Sequence, residues 1–259
     1  MRFAIFCRQD VRSMKRKEDL NQRLTQEGYI EDEAHPEYVF FIGGDGTFLR
    51  AVQHYLSSLS DITFIGIKTG TLGFFYAYDQ DEISLLLEDL KQQNIQYQKY
   101  DLLQAELFQN ETLLDRVYAV NEIRIENPFK TLISKVYIDG EYLEEFRGNG
   151  LLVSSTLGSS AYNKSCGGAL IDTRLSLLEL TEISPIHNTV YQSLRESLIL
   201  DKNRSLTFKG DFENIVVGYD SELYPAQKAM THITIQNAKQ QIRLARKGFL
   251  KTIRNAFIG

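Results

Sequence analysis

Residues 38–50, YVFFIGGDGTFLR, constrain the fold more than any other stretch of the chain. Tyr38, Val39, Phe40, Phe41 and Ile42 form an apolar and aromatic run that leads directly into Gly43, Gly44, Asp45, Gly46 and Thr47. The apolar-flanked residues 48–55 that follow read as a helix. A buried strand that ends in a glycine loop and opens a helix is how α/β proteins build a phosphate site. Glycines let backbone N–H groups approach phosphate oxygens closely. An aspartate among them repels a bare phosphate. Asp45 makes chemical sense if it handles a hydroxyl or a metal ion, as in phosphoryl transfer to an alcohol, where a base takes the hydroxyl proton and the loop holds the phosphate. The plainer alternative is a tight strand-to-helix turn with Asp45 as N-cap. There is no GxxxxGK[ST] loop, and no GxGxxG fingerprint opens the first helix.

The surrounding pattern supports α/β architecture. Residues 2–7 read as a strand and residues 10–27 as a helix stopped by Gly28. Residues 62–68, ITFIGIK, read as a buried strand ending in a second glycine loop, residues 69–76. Residues 79–93 then read as a helix capped by Asp79 or Asp81, with Ile83, Leu86, Leu87 and Leu90 on one face. Alternating strands and helices predict a parallel, Rossmann-like sheet with both glycine loops at the carboxyl ends of its strands. From about residue 97 strand signals dominate: residues 101–109, 116–126, 132–138, 151–155, 205–209, 215–219 and 233–245. Asp139 and Gly140 mark a two-residue hairpin, and residues 160–170 read as one short helix. The expectation is an α/β domain over residues 1–96 and a mostly antiparallel, all-β domain over residues 97–236. Residues 237–259 form a C-terminal segment expected to pack back on the first domain.

Composition narrows the function. The chain has 259 residues, 43% of them hydrophobic, enough to bury a substantial core. Lys plus Arg number 29 and Asp plus Glu 34, a formal charge of −5, which argues against a non-specific nucleic-acid binder. An anionic ligand must then be met by local cations and backbone dipoles. Cys7 and Cys166 stand alone, with no metal-ligand spacing. The four histidines, His35, His54, His187 and His232, are scattered and read as non-catalytic. The opening apolar run is too short for a signal peptide, and no stretch approaches the ~18 apolar residues of a membrane span. A cytoplasmic protein that engages neither membrane nor nucleic acid is expected.

Gly43, Gly44, Asp45, Gly46 and Thr47 resemble the GGDGT signature of NAD kinases, shared in looser form with diacylglycerol and sphingosine kinases and, as GGDGS, with phosphofructokinases. Four further stretches are similar to NAD kinase motifs in order and spacing. Residues 69–74 resemble the G-x-L-G-F segment, and Asn121 with Glu122 the N-E motif. Residues 146–150 resemble [YF]-x-G-D-G. Residues 156–165, with Gly168 and Ala169 beyond, resemble T-P-T-G-S-T-A-Y-x-x-S-x-G-G.

The resemblance covers nearly the whole chain. It implies transfer of a phosphoryl group from ATP, or from polyphosphate in some bacterial members, to the 2′-hydroxyl of the adenosine ribose of NAD, giving NADP. It implies Asp45 as general base and a phosphate cradle of Gly43, Gly44, Gly46 and Thr47. A divalent ion, Mg²⁺, would bridge the donor phosphates, with Glu122 as a candidate metal ligand. NAD would be bound by Asp45, Gly46, Phe74, Asn121, Glu122, Arg147, Asn149, Ser160, Ala161, Tyr162, Asn163, Lys164, Ser165, Ser184 and Ser221. A homodimer or homotetramer is implied as well.

From their chemistry alone, Asn121 and Glu122 read equally as a strand end or bulge, Phe74 as a core aromatic, and Arg147 and Lys164 as members of surface ion pairs. Asn149 stands where the resemblance implies Asp, which removes a charge from the expected nicotinamide contact. Two other functions remain open: a GGDGT kinase acting on a lipid, and a non-catalytic dinucleotide-binding protein.

Overall fold

The computed structural model describes every residue except 71, 72, 213, 225–229, 247 and 259. Two units are present, one formed by Met1–Tyr100 with Gln240–Gly259 and the other by Asp101–Lys239.

In the first unit β1 (Arg2–Cys7) is followed by α1 (Val11–Gln26), β2 (Ile30–Glu31), β3 (Tyr38–Gly43), α2 (Asp45–His54), β4 (Thr63–Lys68), β5 (Tyr78–Asp79) and α3 (Ile83–Lys91). β1 pairs in parallel with β2 and β3, β3 with β4, and β4 with β5. Residues 39–42 of β3 and 63–67 of β4 are all buried. Burial on both faces explains why these strands are continuous apolar runs without alternation. Phe3, Phe40, Ile42, Ile65 and Ile67 of the strands pack with Leu20 and Leu24 of α1 and Leu86 and Leu90 of α3. Asp10 caps α1 by accepting the Ser13 N–H at 3.0 Å.

Two helix starts differ from expectation. α2 begins at Asp45, not at Phe48, with Gly44 at the N-cap. α3 begins at Ile83, and neither Asp79 nor Asp81 caps it; Glu82 occupies the N-cap position without a side-chain cap bond. Pairing with Lys68 draws Asp79 into β5, and the Asp79 N–H donates to the Glu82 carboxylate at 2.8 Å.

β6 (Tyr97–Gln109) runs from the first unit into the second. There follow β7 (Thr112–Ala119), β8 (Glu122–Glu126), β9 (Leu132–Ile138), β10 (Glu141–Gly148), β11 (Gly150–Ser155), a 3-10 turn (Leu157–Ser160) and α4 (Tyr162–Ser165). The unit continues with β12 (Leu177–Ile183), β13 (Leu198–Asp201), β14 (Leu206–Phe212), β15 (Val216–Tyr219), β16 (Glu222–Tyr224) and β17 (Met230–Ala245). One sheet has the order β13-β12-β11-β8-β15-β16, with every pairing antiparallel. Facing it, β10, β9, β14 and the start of β17 pair antiparallel in that order, and β6 pairs antiparallel with β7. Ile123, Val153 and Leu180 of the first sheet share a core with Val136, Phe146, Phe208 and Ile233 of the other strands, a β-on-β packing. The Asp139–Gly140 hairpin is present, both residues having positive φ.

The region expected as one strand over residues 116–126 is two strands, β7 and β8, separated at Val120 and Asn121. The region expected as a helix over residues 160–170 contains only the four-residue α4 after the 3-10 turn. β12, β13 and β16 lie where no strand was expected.

The chain returns to the first unit through the end of β17, where Arg243–Ala245 pair in parallel with β4. α5 (Phe249–Phe257) follows and sets the Phe257 ring 5.6 Å from that of Phe74. Among the described residues no helix is long and apolar enough to cross a membrane.

Candidate active site

In the first unit the glycine loop sits at the carboxyl end of β3. A Cβ at residue 43 would lie 2.7 Å from Thr47 Oγ1, so the fold itself requires Gly43. At residues 44 and 46 a Cβ would meet nothing within 4 Å. Packing does not demand glycine there, and the open space suits close approach of a ligand to the backbone. Asp45 does not cap its helix. Its Oδ1 accepts the N–H groups of Phe74 and Phe75 at 2.9 and 3.2 Å, and its Oδ2 lies 3.1 Å from the Phe74 nitrogen. The carboxylate thus ties the loop after β3 to the loop after β4. Burial pushes the Asp45 carboxyl above its ordinary value, against the two backbone N–H bonds and the charge of Arg246. Phe74 is 9% exposed and packs on Phe257. Thr71 and Leu72 of the second glycine loop lie outside the described residues.

In the second unit Asn121 and Glu122 lie at the break between β7 and β8, 7% and 4% exposed. Asn121 Oδ1 and Glu122 Oε2 are buried and have no hydrogen-bond partner among the described residues. Burial, then the nearby Asp220 carboxyl, push the Glu122 carboxyl up to about 8, with Arg124, 3.9 Å away, opposing. Arg124 also binds Glu126 at 2.8 Å and lies over the Tyr162 ring, 5.5 Å from its centre. Gly158 packs against this segment so closely that a Cβ would sit 2.0 Å from the Asn121 carbonyl oxygen.

A cavity of about 640 Å³ within the second unit is lined by Asn149, Tyr162 and Ser184 together with Glu126, Phe129 and Lys130, among others. Tyr162, 40% exposed, joins the Arg124 cluster to this cavity. Three side chains scattered over residues 149–184 are thereby gathered in one place.

Residues 4–95 match the ATP-NAD kinase N-terminal domain and residues 120–247 the ATP-NAD kinase C-terminal domain. The chain belongs to the NAD kinase family. It is 32% identical to an NAD kinase of Leuconostoc citreum over 261 residues, covering 100% of this chain and 98% of that protein. It is 33% identical to one of Pediococcus pentosaceus over 264 residues, with the same coverage. Among solved structures, yeast NADH kinase complexed with NADH superposes with a TM-score of 0.87 at 17% identity, over 100% of this chain and 87% of that one. An Archaeoglobus fulgidus NAD kinase in complex with ATP gives 0.79 at 21% identity, over 99% and 97%. These two likenesses concern the fold, which is the two-domain fold of NAD kinases: an N-terminal domain built on β-strands and helices and a β-rich C-terminal domain.

Within this NAD kinase family chain the expected dinucleotide-binding residues stand in different situations. Ser160 and Ala161 are half-buried at the turn before α4, and Lys164, Ser165 and Ser221 are exposed. Asn163 is fully buried. Its amide nitrogen donates to Glu179 at 2.7 Å and its amide oxygen accepts from the Thr181 hydroxyl at 2.7 Å. Asn163 therefore anchors α4 and presents no side-chain atom to a ligand. Arg147 pairs with Glu145 at 2.7 Å and lies over the Tyr191 ring at 4.7 Å.

Sequence reasoning passed over Glu179 and Arg124 as site-forming residues; Asp220, with Ser221, was placed only loosely, where some members of the resembled family carry an acidic residue. A charged residue inside the apolar run LLELTEI of β12 was the available signal for Glu179. Among the described residues no group of three or more His, Cys, Asp or Glu side chains converges to hold a metal ion.

Proposed function

We propose that this chain is an NAD kinase that transfers the γ-phosphoryl group of ATP to the 2′-hydroxyl of the adenosine ribose of NAD, giving NADP and ADP. The observation that carries the chemistry is Asp45: a carboxylate in the glycine loop after β3, fixed by the Phe74 and Phe75 amides and made more basic by burial. An ordinary aspartate, with a pKa near ~4, is a weak base for an alcohol. Raising it improves the match to a proton that leaves late, as a loose phosphoryl-transfer transition state requires.

In the step, the 2′-oxygen bonds to the γ-phosphorus, the bond to the β–γ bridging oxygen breaks, and the hydroxyl proton passes to Asp45. The open backbone at Gly44 and Gly46 supplies N–H donors to phosphate oxygens. Asn121 and Glu122 bring buried, unpartnered polar atoms for the dinucleotide. Tyr162 offers a ring for base stacking, and Asn149 and Ser184 a polar wall. The neutral amide of Asn149 hydrogen-bonds a carboxamide without charge.

A divalent ion, Mg²⁺ in our reading, supplies neutralisation of the donor phosphates. Mg²⁺ is commonly held by substrate phosphates, water and one or two carboxylates and not by a dedicated protein cage. Glu122, close to a cation and carrying a raised carboxyl, is assigned to the dinucleotide and not to the metal. The same proposal includes a Rossmann-like classification of the first unit, a cytoplasmic location and a homo-oligomeric state.

Incubation with NAD, ATP and Mg²⁺, with NADP read by an NADP-specific dehydrogenase, tests the function. Folded protein that forms no NADP above the blank overturns it. Replacing ATP by polyphosphate in the same assay settles the donor.

A further inference from the structure

Asp220 reaches the Asn121–Glu122 segment from a distant part of the chain. It is the turn residue between β15 and β16, 7% exposed and in the left-handed backbone region at φ 51°. Its Oδ2 accepts the Val120 N–H at 2.9 Å and its Oδ1 the Asn121 N–H at 2.7 Å. Its own N–H donates to the Glu122 carbonyl at 3.1 Å, and its carbonyl accepts from Arg124 Nη1 at 3.1 Å. The opposite side of the segment is fixed as well. The Ser155 N–H donates to the Asn121 carbonyl at 2.8 Å and the Ser155 hydroxyl to the Val120 carbonyl at 2.6 Å. The backbone of residues 120–122 is therefore pinned from both sides, while Asn121 Oδ1 and Glu122 Oε2 stay unpartnered. A rigid backbone carrying open side-chain atoms is what a preorganised binding segment requires.

We propose that Asp220 is a positioning residue for the acceptor substrate, its carboxylate holding residues 120–122 in the conformation in which Asn121 and Glu122 meet the dinucleotide. The inference rests on the assignment of those two residues to NAD. Only a carboxylate serves here, because two backbone N–H groups each need an acceptor oxygen. An amide would turn its NH₂ toward one of them. The left-handed turn is tolerated by Asn as by Asp, so Asp220→Asn changes one acceptor and leaves the backbone conformation accessible.

The experiment is a double-mutant cycle read as the dissociation constant for NAD. Asp220→Asn raises that constant about tenfold or more in the otherwise unaltered protein, the scale of one lost charge-assisted hydrogen bond. The KM for ATP stays within about twofold, because the loss falls on one substrate. In an N121A/E122A background the same change shifts the NAD constant by less than about twofold, because the groups it positions are gone. An equal, additive effect in both backgrounds overturns the proposal. So does an unchanged NAD constant for D220N while N121A/E122A raises it, which leaves the assignment of Asn121 and Glu122 standing. An unchanged NAD constant for N121A/E122A overturns that assignment and the proposal with it.

Amide hydrogen exchange on the unaltered protein needs no variant to fold. The Val120 and Asn121 amides are protected before NAD is added and change little on binding. Amides that exchange freely until NAD binds overturn the proposal.

Discussion

Glu122 is buried beside a second carboxyl, and it shows how far the fold alters single groups. Its carboxyl is pushed up to about 8, first by burial and then by Asp220. That of Asp220 is pushed up to about 6 by burial, against three backbone hydrogen bonds and Arg124. Glu144 is raised to about 7 by burial and the neighbouring Glu182. Each value lies above that of the unfolded chain, so the folded protein binds more protons than the unfolded one across this window. The corresponding stability is full in acid, below the ordinary carboxyl range, and is lost as pH rises through the folded values. The melting temperature should therefore fall from about pH 5 to about pH 9, and E122Q should flatten the fall. A melting temperature that climbs over the same range contradicts the assignment. Near neutral pH Glu122 carries its proton and offers an O–H donor. NAD affinity should accordingly weaken above about pH 8 in the unaltered protein and hold in E122Q, whose amide remains a donor.

At the scale of elements, α4 shows what four residues need in order to form a defined structure. So short a helix is not stable by itself. Glu179 in β12 holds it by accepting from Asn163 Nδ2 at 2.7 Å and from the Ala169 N–H at 2.6 Å. E179A leaves both donors unpaired, a cost of about 1–3 kcal/mol for the fully buried Asn163 amide and less for the half-buried Ala169 N–H. It should lower the melting temperature and weaken NAD binding together. Calorimetry and equilibrium binding on one preparation check this, and a stable variant with intact affinity contradicts it. G158A drives a methyl group into the Asn121 carbonyl and should destabilise the protein by about 1–3 kcal/mol or displace the Asn121–Glu122 segment. Thermal unfolding and NAD binding distinguish the two.

These same elements mark what the sequence could disclose. β1, β3 and β4 were legible because buried parallel strands are written as apolar runs, and both glycine loops follow from where those runs end. β12 was not, because Glu179 and Glu182 interrupt its apolar pattern. Their partners, Asn163 and Ala169 for one and the Leu194 and Arg195 amides for the other, are set by tertiary folding. The break between β7 and β8 was legible only as one of two readings of Asn121 and Glu122, because the acceptors for the Val120 and Asn121 amides belong to Asp220, about 100 residues away. Asn163, adjacent in sequence to Tyr162, looked equally available to a ligand until burial separated the two roles.

For the whole molecule, a net charge of −5 means that strongly anionic substrates have to be met by local groups. In the proposed function, backbone N–H groups at the glycine loop and local cations such as Arg124 take that part. The motifs named Asp45 as the base. Its altered basicity was not legible, since it depends on burial and on two amides from the loop after β4. That basicity is the central claim, and a single-turnover comparison of the unaltered protein with D45N under saturating NAD and ATP tests it most directly. Asn at residue 45 keeps an Oδ1 for the Phe74 and Phe75 amides and removes the basic oxygen. The phosphoryl-transfer rate should fall by about 100-fold or more, with the NAD dissociation constant within about threefold of the unaltered value. A D45N rate within about threefold of the unaltered protein would contradict a proton transfer to Asp45.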